Sequence, residues 1–145
     1  MNNRQVVEQF VEAMRSQDLD THAKLVHPDI VVRYPQSGET ISGRDNYQAM
    51  LASFPGGLGQ TSEFDTHGPR ESVQVVSPFP FGMPSITISG SGDTFIMEGL
   101  ADYQNEGVFY IAAIVQILSG LVARATFYFA APFEAPQWRA AFVDS

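Results

Sequence analysis

Apolar positions recur at helical spacing near the start of the chain and on alternate residues through much of its later half. Val6, Val7, Phe10, Val11 and Met14 form a stripe, with Glu8, Glu12 and Arg15 off it. The spacing predicts a helix over 4–16, capped by Asn2 or Asn3. A shorter helix is expected over 19–26, with Asp18 or Asp20 as its cap. It stops at His27-Pro28, because the residue before a proline is disfavoured in helix. IVVRYP (30–35) reads as a strand closed by Pro35, QSGE (36–39) as a turn and TIS (40–42) as a return strand. Ser42 is the expected cap of a third helix over 44–54, which carries Tyr47, Met50, Leu51 and Phe54 on one side.

From residue 60 the texture changes. SVQVV (72–76), SITIS (85–89), DTFIMEGLADY (93–103), GVFYIAAIVQIL (107–118) and GLVARATFYFA (120–130) read as strands. The later ones are joined by SGSG, QNEG and SG, which is hairpin chemistry. SPFPFGMP (77–84) carries three prolines and is expected to be a loop or flap rather than a central strand. Helices followed by an antiparallel meander make an α+β pattern.

Strand 107–118 is apolar on both faces. Val108, Tyr110, Ala112, Ile114 and Leu118 lie on one, with Gln116 as the single polar residue; Phe109, Ile111, Ala113, Val115 and Ile117 lie on the other. A sheet with one wet face should alternate. The helices can cover only one side, so the second is expected to meet another copy of the sheet in a homodimer, or to be buried in a larger monomer core.

Length changes the picture only by setting one domain, 1–145, as the expectation. Net charge is −8 with only 8 Lys and Arg, and no basic cluster appears, which argues against nucleic acid and against anionic membrane surfaces. GVFYIAAIVQIL is too short to span a bilayer. The N-terminus lacks the apolar core of a signal peptide, so the expected compartment is cytoplasmic. The absence of cysteine excludes disulfides, thiolate metal sites and a Cys nucleophile. The three histidines show no metal-ligand spacing, and no phosphate-binding glycine motif or G-x-S-x-G occurs, so neither metal nor cofactor is expected.

The order of a capped helix, LVHPDIVVRYP, GETISGRDNY and a late SGLVARATFYFAAPF-x-x-P-x-W resembles the nuclear-transport-factor-2-like superfamily. Within it, the chain is similar to the SnoaL-like polyketide cyclase branch. The resemblance implies a cone-shaped barrel, a strongly curved antiparallel sheet wrapped around N-terminal helices, with a deep pocket at its wide end. It also implies dimerisation through the convex sheet face. Members include ketosteroid isomerase, polyketide cyclases, dehydratases, epoxide hydrolases and non-catalytic binding proteins. Their shared theme is a dry pocket in which a carboxylate or His is the base and Tyr or acid groups hold an enolate.

The isomerase's base, an Asp before a Pro at the end of the first strand, is replaced here by Tyr34 before Pro35. A tyrosine with its reference pKa of about 10 is a poor base at neutral pH. The second acid belongs on the penultimate strand, where this chain has Tyr110, Ala112 and Ala113 and no acid between Gly107 and Arg124. Other proton-handling candidates remain. Glu98 has Phe95, Ile96, Met97 and Leu100 as neighbours, and is read either as a buried acid or as a surface residue partnering Arg124. Asp102, roughly 13 Å further along the strand, is too far away to share its proton. His67, two residues after Asp65, is read as a loop base or as simply exposed. His22 and His27 are expected to be structural or exposed.

Tyr34 and Tyr47 are the expected oxygen-holding groups, and Phe10, Met14, Met97, Tyr110 and Trp138 the expected pocket lining. Trp138 is placed near the cavity, with core or dimer packing of Phe133, Trp138 and Phe142 as the other reading. The functional expectation is a cofactor-free cyclase, isomerase or dehydratase acting on a hydrophobic ring or carbonyl compound. The alternatives are a small-molecule binder without chemistry and a dimeric interaction module.

Overall fold

Asn2 caps the first helix, α1 (Asn3–Ser16). Its side chain accepts from the Gln5 backbone N–H at 2.8 Å, and the Gln5 side chain accepts from the Asn2 N–H at 3.0 Å. This reciprocal pair satisfies donors that a helix start leaves open. The computed structural model describes residues 1–53, 81–103 and 107–144, and the side chains of 81–85, 102 and 103 lie outside that description. Asp18 caps α2 (Leu19–Leu25) by accepting from the Thr21 N–H at 3.0 Å. The chain passes directly into β1 (Val26–Tyr34), so the strand starts earlier than expected and runs through His27-Pro28. A register shift between Val26 and Val31 accommodates that stretch.

β2 (Glu39–Ser42) returns antiparallel to β1 and leads into α3 (Arg44–Ala52). The cap of α3 is Gly43 at φ 92°, not Ser42, which is the last residue of β2. Glycine takes this backbone conformation without the steric cost a side chain brings. The later strands are β3 (Phe81–Ser91), β4 (Thr94–Tyr103), β5 (Gly107–Leu118) and β6 (Leu121–Ala130). Ser119 and Gly120, both at positive φ, make the tight β5–β6 turn. Residues 81–84 are strand rather than loop. They lie at the sheet edge, and Pro84 falls in the register shift between Gly82 and Ser85, where a missing N–H is tolerated. The expected strand 72–76 and residues 77–80 lie outside the described residues.

The sheet order is β2-β1-β6-β5-β4-β3. β3 to β6 form the antiparallel meander, but β1 pairs parallel with β6 through Val31–Arg124, Val32–Ala125 and Arg33–Thr126. The sheet is therefore mixed, not wholly antiparallel. The architecture is α+β, with N-terminal helices on an open six-stranded sheet.

Strand period sorts the side chains. One row across the inner face is Ile41, Val32, Ala125, Val115 and Phe95; the next runs Phe127, Ala113, Met97 and Ile88. These pack with Val6, Val7, Phe10, Val11 and Met14 of α1, and with Leu25, Tyr47 and Leu51 from the other two helices, in one core. Ala113 sits between Phe127 and Met97, a small residue between large ones. The outer face leaves Ile96, Val108, Tyr110, Ile114, Leu118 and Tyr128 exposed.

Gly90, paired with Phe95 next to the β3–β4 turn, has φ 119°, and a Cβ there would lie 2.5 Å from the Thr94 carbonyl oxygen and 2.9 Å from the Phe95 Cα. Gly90→Ala is expected to cost about 2 kcal/mol or more, since both backbone strain and a backbone clash oppose it. Gly38→Ala, with φ 81° but open space around the site, should cost only about 1 kcal/mol. Urea denaturation of the two variants checks this, and equal losses would show that the hairpin relaxes around the methyl group.

Candidate functional site

The inner face acquires polarity at the end of β1. Past the last β1–β6 pair, Arg33–Thr126, the Gln36 side-chain amide takes over as a pseudo-strand partner. Its Nε2 donates to the Phe129 carbonyl and its Oε1 accepts from the Phe129 N–H. This clamp holds Tyr34 against β6. The Tyr34 ring stacks on Phe127 at 5.7 Å and on Phe129 at 6.4 Å between centroids, and those two rings stack at 6.3 Å.

Tyr47 approaches the same region from α3 and is 1% exposed. Burial, and then the nearby Tyr34, push its phenol well above the ordinary tyrosine range. The two tyrosines expected to hold an oxygen are thus neighbours.

His22 on α2, expected to be structural or exposed, packs beside Tyr47. His22 is 1% exposed and is the one buried polar side chain among the described residues apart from the tyrosine. Its ring lies 4.8 Å from that of Phe10 on α1 and 5.4 Å from that of Tyr47 on α3. Gln48, also on α3, places its Nε2 2.7 Å from His22 Nδ1. His22 Nε2 is buried with no hydrogen-bond partner among the described residues. Desolvation lowers its pKa to about 4, so the imidazole is neutral. The signal in the sequence was spacing: His22 and Leu25 share the inward side of α2, as residues three apart do.

Phe10, Met14 and Met97, expected as pocket lining, and Tyr47, expected to hold an oxygen, are buried in the core. Glu98 is not. It is exposed, because strand alternation puts Phe95 and Met97 inside and Ile96 and Glu98 outside. The same parity sends Tyr110, 55% exposed, to the outer face. With Thr87, Leu100, Ala112 and Tyr128, these two line an outer groove of about 460 Å³. Trp138 is 74% exposed and lines no interior wall. It sits in a short 3-10 helix, Gln137–Phe142, beyond the end of the sheet, with the Arg139 guanidinium 5.8 Å from its ring centroid. His67 and Asp65 lie outside the described residues. Every carboxylate whose side chain is described, including Glu98, is exposed, so the interior polarity is imidazole, amide and phenol. No helix among the described residues is long and apolar enough to cross a membrane.

Residues 7–74 match the SnoaL-like domain family. Among solved structures, an NTF2-like protein of unknown function from Burkholderia xenovorans LB400 is similar over 99% of this chain and 94% of its own, at 29% identity and a TM-score of 0.73. A candidate ketosteroid isomerase from Kribbella flavida DSM 17836 is similar over 99% of this chain and 88% of its own, at 16% identity and a TM-score of 0.71. TerC, co-crystallised with polyporic acid, is similar over 88% of this chain and 90% of its own, at 16% identity and a TM-score of 0.64. The last two are likenesses of fold alone. No curated protein matches the chain.

The neutral state of His22 has a consequence for stability. The unfolded chain takes up a proton near pH 6.5, the folded one only near 4. Between those values the unfolded state binds more protons, so folding weakens as pH falls. The effect is absent above the unfolded value and reaches about 3 kcal/mol below the folded one. Urea denaturation at pH 7.5 and 4.5 should show this loss in the native chain and a much smaller one in His22→Phe. An equal loss in both would assign the acid sensitivity to other groups.

Proposed function

We propose that this SnoaL-like protein of the nuclear-transport-factor-2-like superfamily binds a hydrophobic ring or carbonyl compound between its helices and the inner face of its sheet. In this reading the curved sheet forms a cone-shaped barrel and the pocket is its interior. The observation that carries it is the meeting of His22, Tyr34 and Tyr47 within an otherwise apolar core. Hydrocarbon side chains would fill that space at lower cost, since buried polar groups stabilise only when they are paired. Likeness of fold to a candidate ketosteroid isomerase and to a protein crystallised with polyporic acid agrees with a small-molecule site.

A catalytic version of the same reading is a cofactor-independent isomerase, cyclase or dehydratase. It is favoured by the kind of groups assembled: a neutral imidazole and two phenols are hydrogen-bond donors suited to an enolate oxygen. A binder without turnover uses the same groups to orient its ligand.

The reading also includes a homodimer through the convex sheet face. The apolar residues Ile96, Tyr110, Ile114 and Tyr128 are exposed side by side there. The tail adds Phe133 at 79%, Trp138 at 74% and Phe142 at 82% exposure, aromatic surface that a second copy would cover. Sedimentation at micromolar concentration should give a dimer for the native chain and a folded monomer for Ile114→Asp. A monomeric native chain would exclude this interface.

The pocket itself is checked with N-phenyl-1-naphthylamine, a neutral ring probe. Its titration should move the methyl NMR signals of Met97 and Ala113 on the inner face and leave those of Ile96 and Ile114 in place. Tyr47→Phe should weaken binding by about threefold to tenfold, the worth of one hydrogen bond. Shifts confined to the outer face, or none at all, would overturn the reading.

A further inference from the structure

We propose that His22 anchors the ligand, its Nε2–H donating a hydrogen bond to a carbonyl oxygen on an uncharged ring compound. The inference rests on the interior pocket of the preceding section and adds the recognition chemistry. It begins with the proton. The Gln48 amide nitrogen that faces Nδ1 at 2.7 Å is a donor and never an acceptor, so Nδ1 accepts. The ring proton is then on Nε2, and that atom is buried with no hydrogen-bond partner among the described residues. A buried N–H without a partner carries its whole desolvation cost, and such groups are rare in folded proteins.

The surroundings say what kind of acceptor fits. The imidazole is flanked by the Phe10 and Tyr47 rings, and no described carboxylate is buried near it to compete for the proton. Desolvation keeps the ring uncharged. A carboxylate ligand would have to be desolvated in the same apolar setting with no cation to offset it. A ketone or quinone-like oxygen needs no counter-charge and accepts one directed hydrogen bond. Gln48 is then a positioning residue: by holding Nδ1 it sets which nitrogen carries the proton and where that proton points.

The test uses two probes of the same ring and size, 1-acetonaphthone and 1-ethylnaphthalene, with the full chain. The ketone should bind about fivefold to tenfold more tightly than the hydrocarbon, as one hydrogen bond allows. The infrared C=O stretch of bound acetonaphthone should move to lower wavenumber than in hexane, and the His22 Nε2–H NMR signal should shift downfield on addition of the ketone. In His22→Phe the preference and the carbonyl shift should vanish while the hydrocarbon still binds. The native-chain spectra decide the matter even where that variant does not fold. Equal binding of both probes with an unshifted carbonyl would leave the pocket standing and overturn the role of His22. A ketone preference that persists in His22→Phe would also overturn it. Failure of both probes to bind would overturn the pocket and this inference together.

Discussion

The parallel ladder between β1 and β6 is the constraint on which the remaining geometry depends. An antiparallel meander such as β3 to β6 assembles from near neighbours in sequence. β1 cannot, because its partner lies far along the chain, with Val32 and Ala125 93 positions apart. Pairing Val31, Val32 and Arg33 with Arg124, Ala125 and Thr126 carries the N-terminal helices to the inner face, since α1 and α2 precede β1 and α3 follows its return strand. The Gln36 clamp on Phe129 extends that pairing by one more residue pair. Loop closure over such a distance costs entropy that only a large buried surface offsets. The core shared by helices and sheet is that surface.

With the ladder in place, the three helices meet at one imidazole. Phe10 comes from α1, His22 from α2, and Tyr47 and Gln48 from α3. Aromatic packing alone would suffice to join them, and a Leu or Phe at position 22 would serve. The polar choice carries an energetic penalty in the absence of a ligand, and proteins tend to hold such penalties at functional sites.

The outer face tells a complementary story. Along β5 the residues facing outward are nearly as apolar as those facing inward, yet in the single chain they remain exposed. The aromatic tail behaves in the same way: it follows the sheet, makes a short 3-10 turn, and presents Phe133, Trp138 and Phe142 to solvent. Two separate stretches of the chain thus offer hydrophobic area that the described part of a single chain does not cover.

Local signals were legible in the sequence because they act over a few residues. The Asn2 and Asp18 caps, the α1 stripe, the Ser119-Gly120 turn and the two-faced character of β5 were each readable from the residues involved. Of the candidate site, Phe10, Met14, Tyr34, Tyr47 and Met97 could be named in advance, since they are large groups at inward-facing periods. Other features depended on which elements become neighbours. Nothing near Val32 specifies a parallel partner at Ala125, and nothing near His22 announces Gln48 or Tyr47. Glu98 was left between a buried and a surface reading because its apolar sequence neighbours divide between two faces, and only the helices decide which face is inside. Trp138 could not be placed from the sequence, because hydrophobicity states that a residue prefers burial without stating against what; in the single chain it is exposed. Periodicity and capping are properties of a segment; partner, face and burial belong to the assembled sheet.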